Sequence, residues 1–217
     1  MIISIEGNIG SGKSTLLKLL KEYFKDNNNI IFLQEPVDEW NHIKDNNNVT
    51  ILEKFYMDQK KYSFAFQMMA YISRLSLITK TINEFPNAII ITERCLNTDR
   101  YVFAKMLYDS GKMEDVEYQI YIKWFDHFNS IIKNTKTIYL DTLPDVCFIR
   151  INKRNREGES NISLEYLENC NKYHNDMVDN INKDKLLIID GNIDTDNNIN
   201  IYNLWCENIK NFIYNEL

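Results

Sequence analysis

One stretch of this chain has the residue types and spacing to hold a polyphosphate. Gly7-Asn8-Ile9-Gly10-Ser11-Gly12-Lys13-Ser14-Thr15 fits the pattern G-x-x-x-x-G-K-[ST] in full. It follows an apolar run, Ile2-Ile3-Ser4-Ile5, and leads into the helical spacing Leu16, Leu17, Leu19, Leu20, Tyr23, Phe24. Glycines let a backbone turn so tightly that its N–H groups converge on an anion, and a helix starting near Lys13 adds the positive end of its dipole. On this reading Gly7, Asn8, Gly10, Ser11, Gly12, Lys13, Ser14 and Thr15 cradle a nucleoside triphosphate, ATP or another NTP. Lys13 reaches the β- and γ-phosphates and the Ser14 hydroxyl ligates Mg²⁺. The alternative, a glycine-rich turn with a chance lysine, is disfavoured by the complete motif and its flanks.

Two further groups have chemistry to offer. Segment 50–84 is rich in aromatic and apolar residues, among them Leu52, Phe55, Tyr56, Phe66 and Tyr71, more than one covering helix face needs. Most of these are expected to pack a core. Gln67 and Arg74 stand seven residues apart, on one side of a helix, and an amide and a guanidinium in an apolar slot suit a nucleobase. Further on, Arg150, Lys153, Arg154 and Arg156 lie between two expected helices, followed by Glu157-Gly158-Glu159. Such runs are usually solvated loops. In a chain that binds a triphosphate, clustered arginines are also what phosphoryl transfer requires, and Gly158 would let the loop close.

The elements that must position these groups alternate. Apolar runs at Ile2–Ile5, Ile30–Leu33, Ala88–Ile91, Thr137–Leu140 and Leu186–Ile189 read as buried parallel strands. Helical periodicity fills roughly 13–26, 50–84, 97–109, 113–132, 143–153, 163–182 and 197–215. The pattern predicts an α/β fold, a five-stranded parallel sheet with helices on both faces, in a single domain over 1–217. Ligands in such sheets sit beyond the carboxyl ends of the strands, so Glu35, Glu93, Arg94, Asp141 and Asp190 are expected around the phosphate loop.

Composition narrows the class. The 217 residues are 44% hydrophobic and 26% charged with net charge −6, which discourages nonspecific binding to nucleic acid or an anionic membrane. No apolar run reaches membrane-spanning length, and the start of the chain reads as a core strand rather than a secretion signal. A cytoplasmic protein is expected. Cys95, Cys147, Cys170 and Cys206 are widely spaced and read as reduced packing residues, and His42, His127 and His174 lack metal-ligand spacing.

Taken together, these motifs resemble the deoxyribonucleoside kinase family, nearly end to end. The resemblance rests on Glu6 to Thr15, Glu35-Pro36-Val37-Asp38-Glu39-Trp40, Tyr62-Ser63-Phe64-Ala65-Phe66-Gln67, and Glu93-Arg94. It continues through Asp99-Arg100-Tyr101-Val102-Phe103-Ala104, Arg150-x-x-x-Arg154-x-Arg156 and Leu164-Glu165-Tyr166-Leu167. It implies a three-layer P-loop nucleoside/nucleotide kinase fold with a small arginine-rich lid at about 150–162. Glu35 then resembles the general base on a sugar 5′-hydroxyl, oriented by Arg94, with Glu93 near Mg²⁺. Tyr56 and Glu159 match the pair that holds the 3′-hydroxyl. Gln67 pairs with the base between walls of Trp40, Leu52, Phe66 and Phe103. Arg150 lies near the donor base, and Arg154 and Arg156 lie on phosphate. Ala70, Arg74 and Asp99 match the deoxycytidine and deoxyguanosine kinase branch, which implies deoxycytidine or purine deoxynucleosides over thymidine. Family likeness and the apolar excess on 50–84 and 97–132 imply a homodimer.

Some positions depart from the family pattern. Arg154-Asn155-Arg156 has asparagine where a glycine often separates the arginines, which would stiffen lid closure. Asp141 is expected to cap the helix before Pro144 or to stand behind the Mg²⁺. The loop from Asp190 to Thr195 is only loosely similar, so the donor base is open. A nucleoside monophosphate kinase would need a cationic acceptor site where Glu35 stands. A GTPase switch would need D-x-x-G, which the chain lacks, and N-K-x-D, where Asn182-Lys183-Asp184-Lys185 fails at the fourth place.

Overall fold

A computed structural model describes residues 1–129, 132, 135–156, 158–193 and 199–214. Five strands, β1 (Ile2–Gly7), β2 (Ile30–Leu33), β3 (Ile89–Glu93), β4 (Lys136–Asp141) and β5 (Leu186–Asp190), form one all-parallel sheet in the order β2-β3-β1-β4-β5. Ten α-helices accompany them among the described residues: α1 (Lys13–Tyr23), α2 (Val37–Asn41), α3 (Ile51–Met57), α4 (Gln59–Glu84), α5 (Leu96–Thr98), α6 (Lys105–Asp109), α7 (Asp115–Asn129), α8 (Pro144–Arg154), α9 (Leu164–Asp179) and α10 (Ile199–Tyr214). A π-helical turn, Asp99–Ala104, joins α5 to α6.

The three layers follow from strand alternation. Successive side chains point to opposite faces. Ile3 and Ile5 of β1, with Ile91, Ile138 and Ile189, meet Leu16, Leu17 and Leu20 of α1 and Cys206, Ile209 and Ile213 of α10. Ile2 and Ile90 face the other way, in a core with Phe55 of α3, Ala70, Tyr71 and Ile78 of α4, and Tyr121 and Phe125 of α7. All of β1 is buried, so a near-continuous apolar run is what the central strand requires.

The expected strands are all present. The helical segment 50–84 is two helices, because Asp58 leaves helical geometry (φ −146°, ψ 82°) and accepts a hydrogen bond from Lys61 N to start α4 afresh. Residues 97–109 hold the π-helical turn between two short helices, and α2 was not expected. Arg150, Lys153 and Arg154 belong to the last turns of α8 rather than to a loop; only Arg156 lies in the connection. Asp141 does not cap α8: the N-cap position is Leu143, with no side-chain cap, and Pro144 opens the helix. Glu157, Asp194 and Thr195 lie outside the described residues.

At the start of α3, Thr50 Oγ1 accepts from Glu53 N (3.1 Å) while Glu53 Oε2 accepts from Thr50 N (2.7 Å), a reciprocal cap. Thr50→Ala is expected to cost about 1 kcal/mol of stability, read as a lower urea midpoint at unchanged slope.

Candidate active site

A cavity of about 770 Å³ opens at the carboxyl ends of β1, β2 and β3, where the topology changes direction. The phosphate loop forms one end. Gly12 (φ 103°) is the N-cap of α1, and its carbonyl takes the first helical bond, from Leu16 N. Gly10 (φ 80°) also packs so closely that a Cβ there would stand 2.6 Å from the Cys147 carbonyl oxygen. Lys13 Nζ donates back to Asn8 O at 2.7 Å, and Asn8 Nδ2 donates to Leu167 O of α9 at 2.9 Å. Burial, then the nearby Arg94 charge, lowers Lys13 from 10.5 to about 8.

Strand alternation puts Glu93 on the α1 face with Ile89 and Ile91, and Ser14 at the start of α1 donates to Glu93 Oε1 at 2.7 Å. Glu93 Oε2 is buried with no hydrogen-bond partner among the described residues. An orphaned carboxylate oxygen beside a hydroxyl is a donor set for a hard cation such as Mg²⁺. Among the described residues no group of three or more His, Cys, Asp or Glu is placed to hold a metal unaided. Ser14 and Glu93 would therefore share such a cation with phosphate oxygens and water.

Arg94 follows directly and has φ 64°, a left-handed conformation uncommon for a residue with a side chain. Its Nη1 donates to Gly7 O (3.0 Å) and reaches His174 Nε2 (3.2 Å), while its Nε lies 3.5 Å from Glu35 Oε1. The shorter bond to that oxygen comes from Arg74 Nη2 at 2.8 Å. Arg74 also donates through Nε to Asp99 Oδ2 (2.9 Å) and through Nη1 to Glu93 O (2.8 Å). Arg74 is thus both the expected floor of the base slot and a direct partner of Glu35. Burial alone would raise Glu35, but Arg74, Arg94 and Lys13 together outweigh it and hold its carboxyl below 4.5. Burial pushes Asp99 up to about 6 against the pull of Arg74.

Beside these charges lies an apolar slot. Phe66 stacks on Phe55 (4.5 Å between centroids, 17° between planes) and meets Trp40 edge-on (5.6 Å, 81°). Trp40 is pinned by an indole hydrogen bond to Ser73 Oγ at 2.9 Å. Leu52, Gln67, Ala70 and Phe103 line the same cavity, and Phe103 also lies under the Arg94 guanidinium, 4.8 Å from ring to carbon.

Tyr56 and Glu159 lie at the lid end. Burial, then the Glu159 carboxylate, raises Tyr56, so its phenol keeps its proton. Glu159 is held by Arg154 Nη2 (2.5 Å) and Arg156 Nη1 (3.4 Å). Arg150 Nη1 donates to Gly191 O (2.7 Å) and Ser11 O (3.3 Å), bridging the phosphate loop to the turn after β5. Asn155 ends α8 with φ 48°, the conformation a glycine would otherwise supply, and asparagine tolerates it well.

Every residue singled out from the sequence for the acceptor, and Lys13, Ser14, Glu93 and the three lid arginines, borders this cavity. Asp141 and Asp190 do not: they pair in register at the strand ends, exposed, and Asp190 Oδ1 accepts from Asn192 N instead. Sequence reading missed Val146 and Ile149, which share with the expected Arg150 and Lys153 the face of α8 turned to the cavity. Their spacing of three and four was the available signal, and Ile149 is 65% exposed. It also missed His174, which joins α9 to Arg94 just past the end of β3.

A phosphate loop on a sheet of this order, with arginines facing its mouth and acidic groups at neighbouring strand ends, defines a P-loop kinase. The chain belongs to the deoxynucleoside kinase family, whose sequence profile matches residues 3–214. It is 34% identical over 218 residues to a probable deoxycytidine kinase of fowlpox virus, covering 97% of this chain and 87% of that one. It is 32% identical over 240 residues to deoxycytidine kinase 2 of Gallus gallus, covering 97% and 89%. It is 33% identical over 179 residues to human mitochondrial thymidine kinase 2, covering 82% and 64%.

The depressed Lys13 pKa sets a pH dependence. The unfolded lysine titrates near 10.5 and the folded one near 8, so between these values the unfolded state binds the extra proton. This group alone therefore makes the ligand-free fold more stable as pH rises from about 8 to 10.5. The stability difference between wild type and Lys13→Met is expected to shrink across that window in thermal melts, and to be constant below it.

Proposed function

We propose that the chain transfers the γ-phosphate of ATP, or another NTP, to the 5′-hydroxyl of a deoxyribonucleoside, giving the 5′-monophosphate in nucleotide salvage. The observation that carries this reading is Glu35: an ionised carboxylate, held by two guanidiniums, facing the same cavity as Lys13 and the aromatic slot. A neutral alcohol needs its proton removed, and a positioned carboxylate does so as the new bond forms. Glu35 takes the hydroxyl proton, the 5′-oxygen forms its bond to the γ-phosphorus, and the bond to the β-phosphate oxygen breaks to release the nucleoside diphosphate. Arg94 and the lid arginines Arg154 and Arg156 face the charge that spreads over the transferred group. Ser14 and Glu93 would hold Mg²⁺, which would supply positive charge to the β- and γ-phosphates. Tyr56 and Glu159 hold the 3′-hydroxyl, Gln67 pairs with the base edge, and Trp40, Leu52, Phe66 and Phe103 wall the ring.

The base preference follows from the slot's floor. The Arg74–Asp99 pair is buried beside Ala70, where it crowds a thymine methyl and offers polar groups to cytosine or a purine. Deoxycytidine or purine deoxynucleosides are therefore the favoured acceptors over thymidine. A phosphorylation panel of the four deoxynucleosides and their monophosphates, with ATP and Mg²⁺, tests the reading: product from a monophosphate and none from a nucleoside would overturn it.

Glu35→Gln is expected to keep nucleoside affinity within a few fold and to lower turnover by about two to four decades. Near-normal turnover would remove Glu35 from the chemistry.

The homodimer belongs to the same proposal. Val116, Ile120 and Trp124 form an exposed stripe on α7, with Ile72 exposed on the adjoining α4. Light scattering at micromolar concentration is expected to give twice the chain mass, and Trp124→Glu to shift it towards one.

A further inference from the structure

Arg94 leaves β3 in a left-handed conformation, and its long side chain must be fixed by what it touches. Both hydrogens of Nη1 have acceptors: Gly7 O at 3.0 Å and His174 Nε2 at 3.2 Å. His174 sits on α9 with no exposed surface. Its Nδ1 lies 2.7 Å from Cys170 O, a group that only accepts, so Nδ1 carries the proton and Nε2 presents a lone pair to the guanidinium. The ring stacks beside Tyr139 (6.3 Å, 26°) and meets Phe103 edge-on (5.9 Å, 87°), which leaves it one orientation.

We propose that His174 is a positioning residue for the reaction: its neutral imidazole, fixed as the Nδ1–H tautomer, anchors Arg94 Nη1 and so turns the Nε edge of that guanidinium to Glu35. The choice of side chain matters. A carboxylate at this place would neutralise Arg94, and a charged imidazole would repel it. A neutral acceptor holds the cation while leaving its charge for the reacting centre. Burial and the Arg94 charge both keep His174 well below the usual histidine range, in line with that role. The inference rests on the kinase reading above for its effect on turnover; the geometry of the pair does not.

The test uses the full chain. His174→Phe keeps a ring and loses the acceptor. It is expected to lower kcat by about ten- to hundredfold, the scale of a small misplacement, with the nucleoside KM changed less than about threefold. His174→Gln, whose amide oxygen accepts, is expected to recover kcat to within about threefold of wild type. Wild-type kcat in the Phe variant, or a folded Gln variant as impaired as Phe, would overturn the proposal. Nitrogen-15 spectra of the wild-type imidazole without substrate give a second reading that needs neither variant to fold. They are expected to show a protonated Nδ1 and a bare Nε2, and a protonated Nε2 would overturn the proposal. If the wild-type chain phosphorylates no nucleoside, the functional reading falls, and the spectrum still decides the His174–Arg94 geometry.

Discussion

The arrangement of this site depends on one buried cation. Arg74 is 2% exposed and spends its guanidinium on Asp99, on Glu35 and on the carbonyl of Glu93, which ties α4 to the ends of β2 and β3 and to the π-helical turn. Desolvating such a group is expensive, and only full hydrogen bonding in good geometry offsets it. That cost has a mechanistic return in the proposed reaction. Glu35 is ionised and aimed before a substrate arrives, so little reorganisation remains for the chemical step. When the carboxylate takes up a proton it stops compensating its guanidiniums. Arg94 then faces the transferring phosphoryl group with its charge uncancelled, at the moment negative charge builds there.

Backbone geometry sets up the same result. The two-residue period of β3 delivers Glu93 to the α1 face, beside Ser14. One residue later the chain would have to point away from that face, and the left-handed φ of Arg94 sends the guanidinium back over the mouth of the sheet. Strain of order 1–3 kcal/mol at such a position persists only where surroundings over-determine it. Gly7 O, His174, Phe103 and Glu35 supply that surrounding. The π-helical turn carrying Asp99 and Phe103, which follows after the short helix α5, is a second departure from regular structure, and such turns gather at functional sites.

Local chemistry and the gathering of Glu35, Glu93 and Arg94 at the strand ends were legible in the sequence, and the individual contacts between distant side chains were not. Strand positions, the phosphate loop and the acidic and basic residues at strand ends follow from period, glycine placement and the rule that ligands sit at carboxyl edges. That rule over-reached at Asp141 and Asp190. Both end strands, but β4 and β5 lie to the far side of β1 from Glu35, and the turn at Gly191–Ile193 rather than the carboxylates faces the cavity. The break at Asp58 escaped because the polar run Asp58-Gln59-Lys60-Lys61 also reads as one exposed turn inside a single long helix, and only the backbone shows the second cap. His174 gave no signal in spacing because its partner is 80 residues away. Arg74 was assigned to the base from its place on the same side of the helix as Gln67, while its bond to Glu35 needed the sheet order to be seen.

The lid shows how the two halves of the site share charge. Glu159, assigned with Tyr56 to the sugar, is bound by Arg154 and Arg156, assigned to phosphate. The guanidiniums need a counter-ion and the buried carboxylate needs a cation, so the pairing satisfies both. Lys13 does likewise on the carbonyl of Asn8. In the proposed reaction a triphosphate offers the three cations a stronger partner, and a 3′-hydroxyl offers Glu159 a donor in return. Each ligand thereby removes the obstacle to the other: phosphate frees the carboxylate for the sugar, and the sugar lowers the cost of giving up the arginines. In the proposed reaction the same charges thus link the two ends of the site.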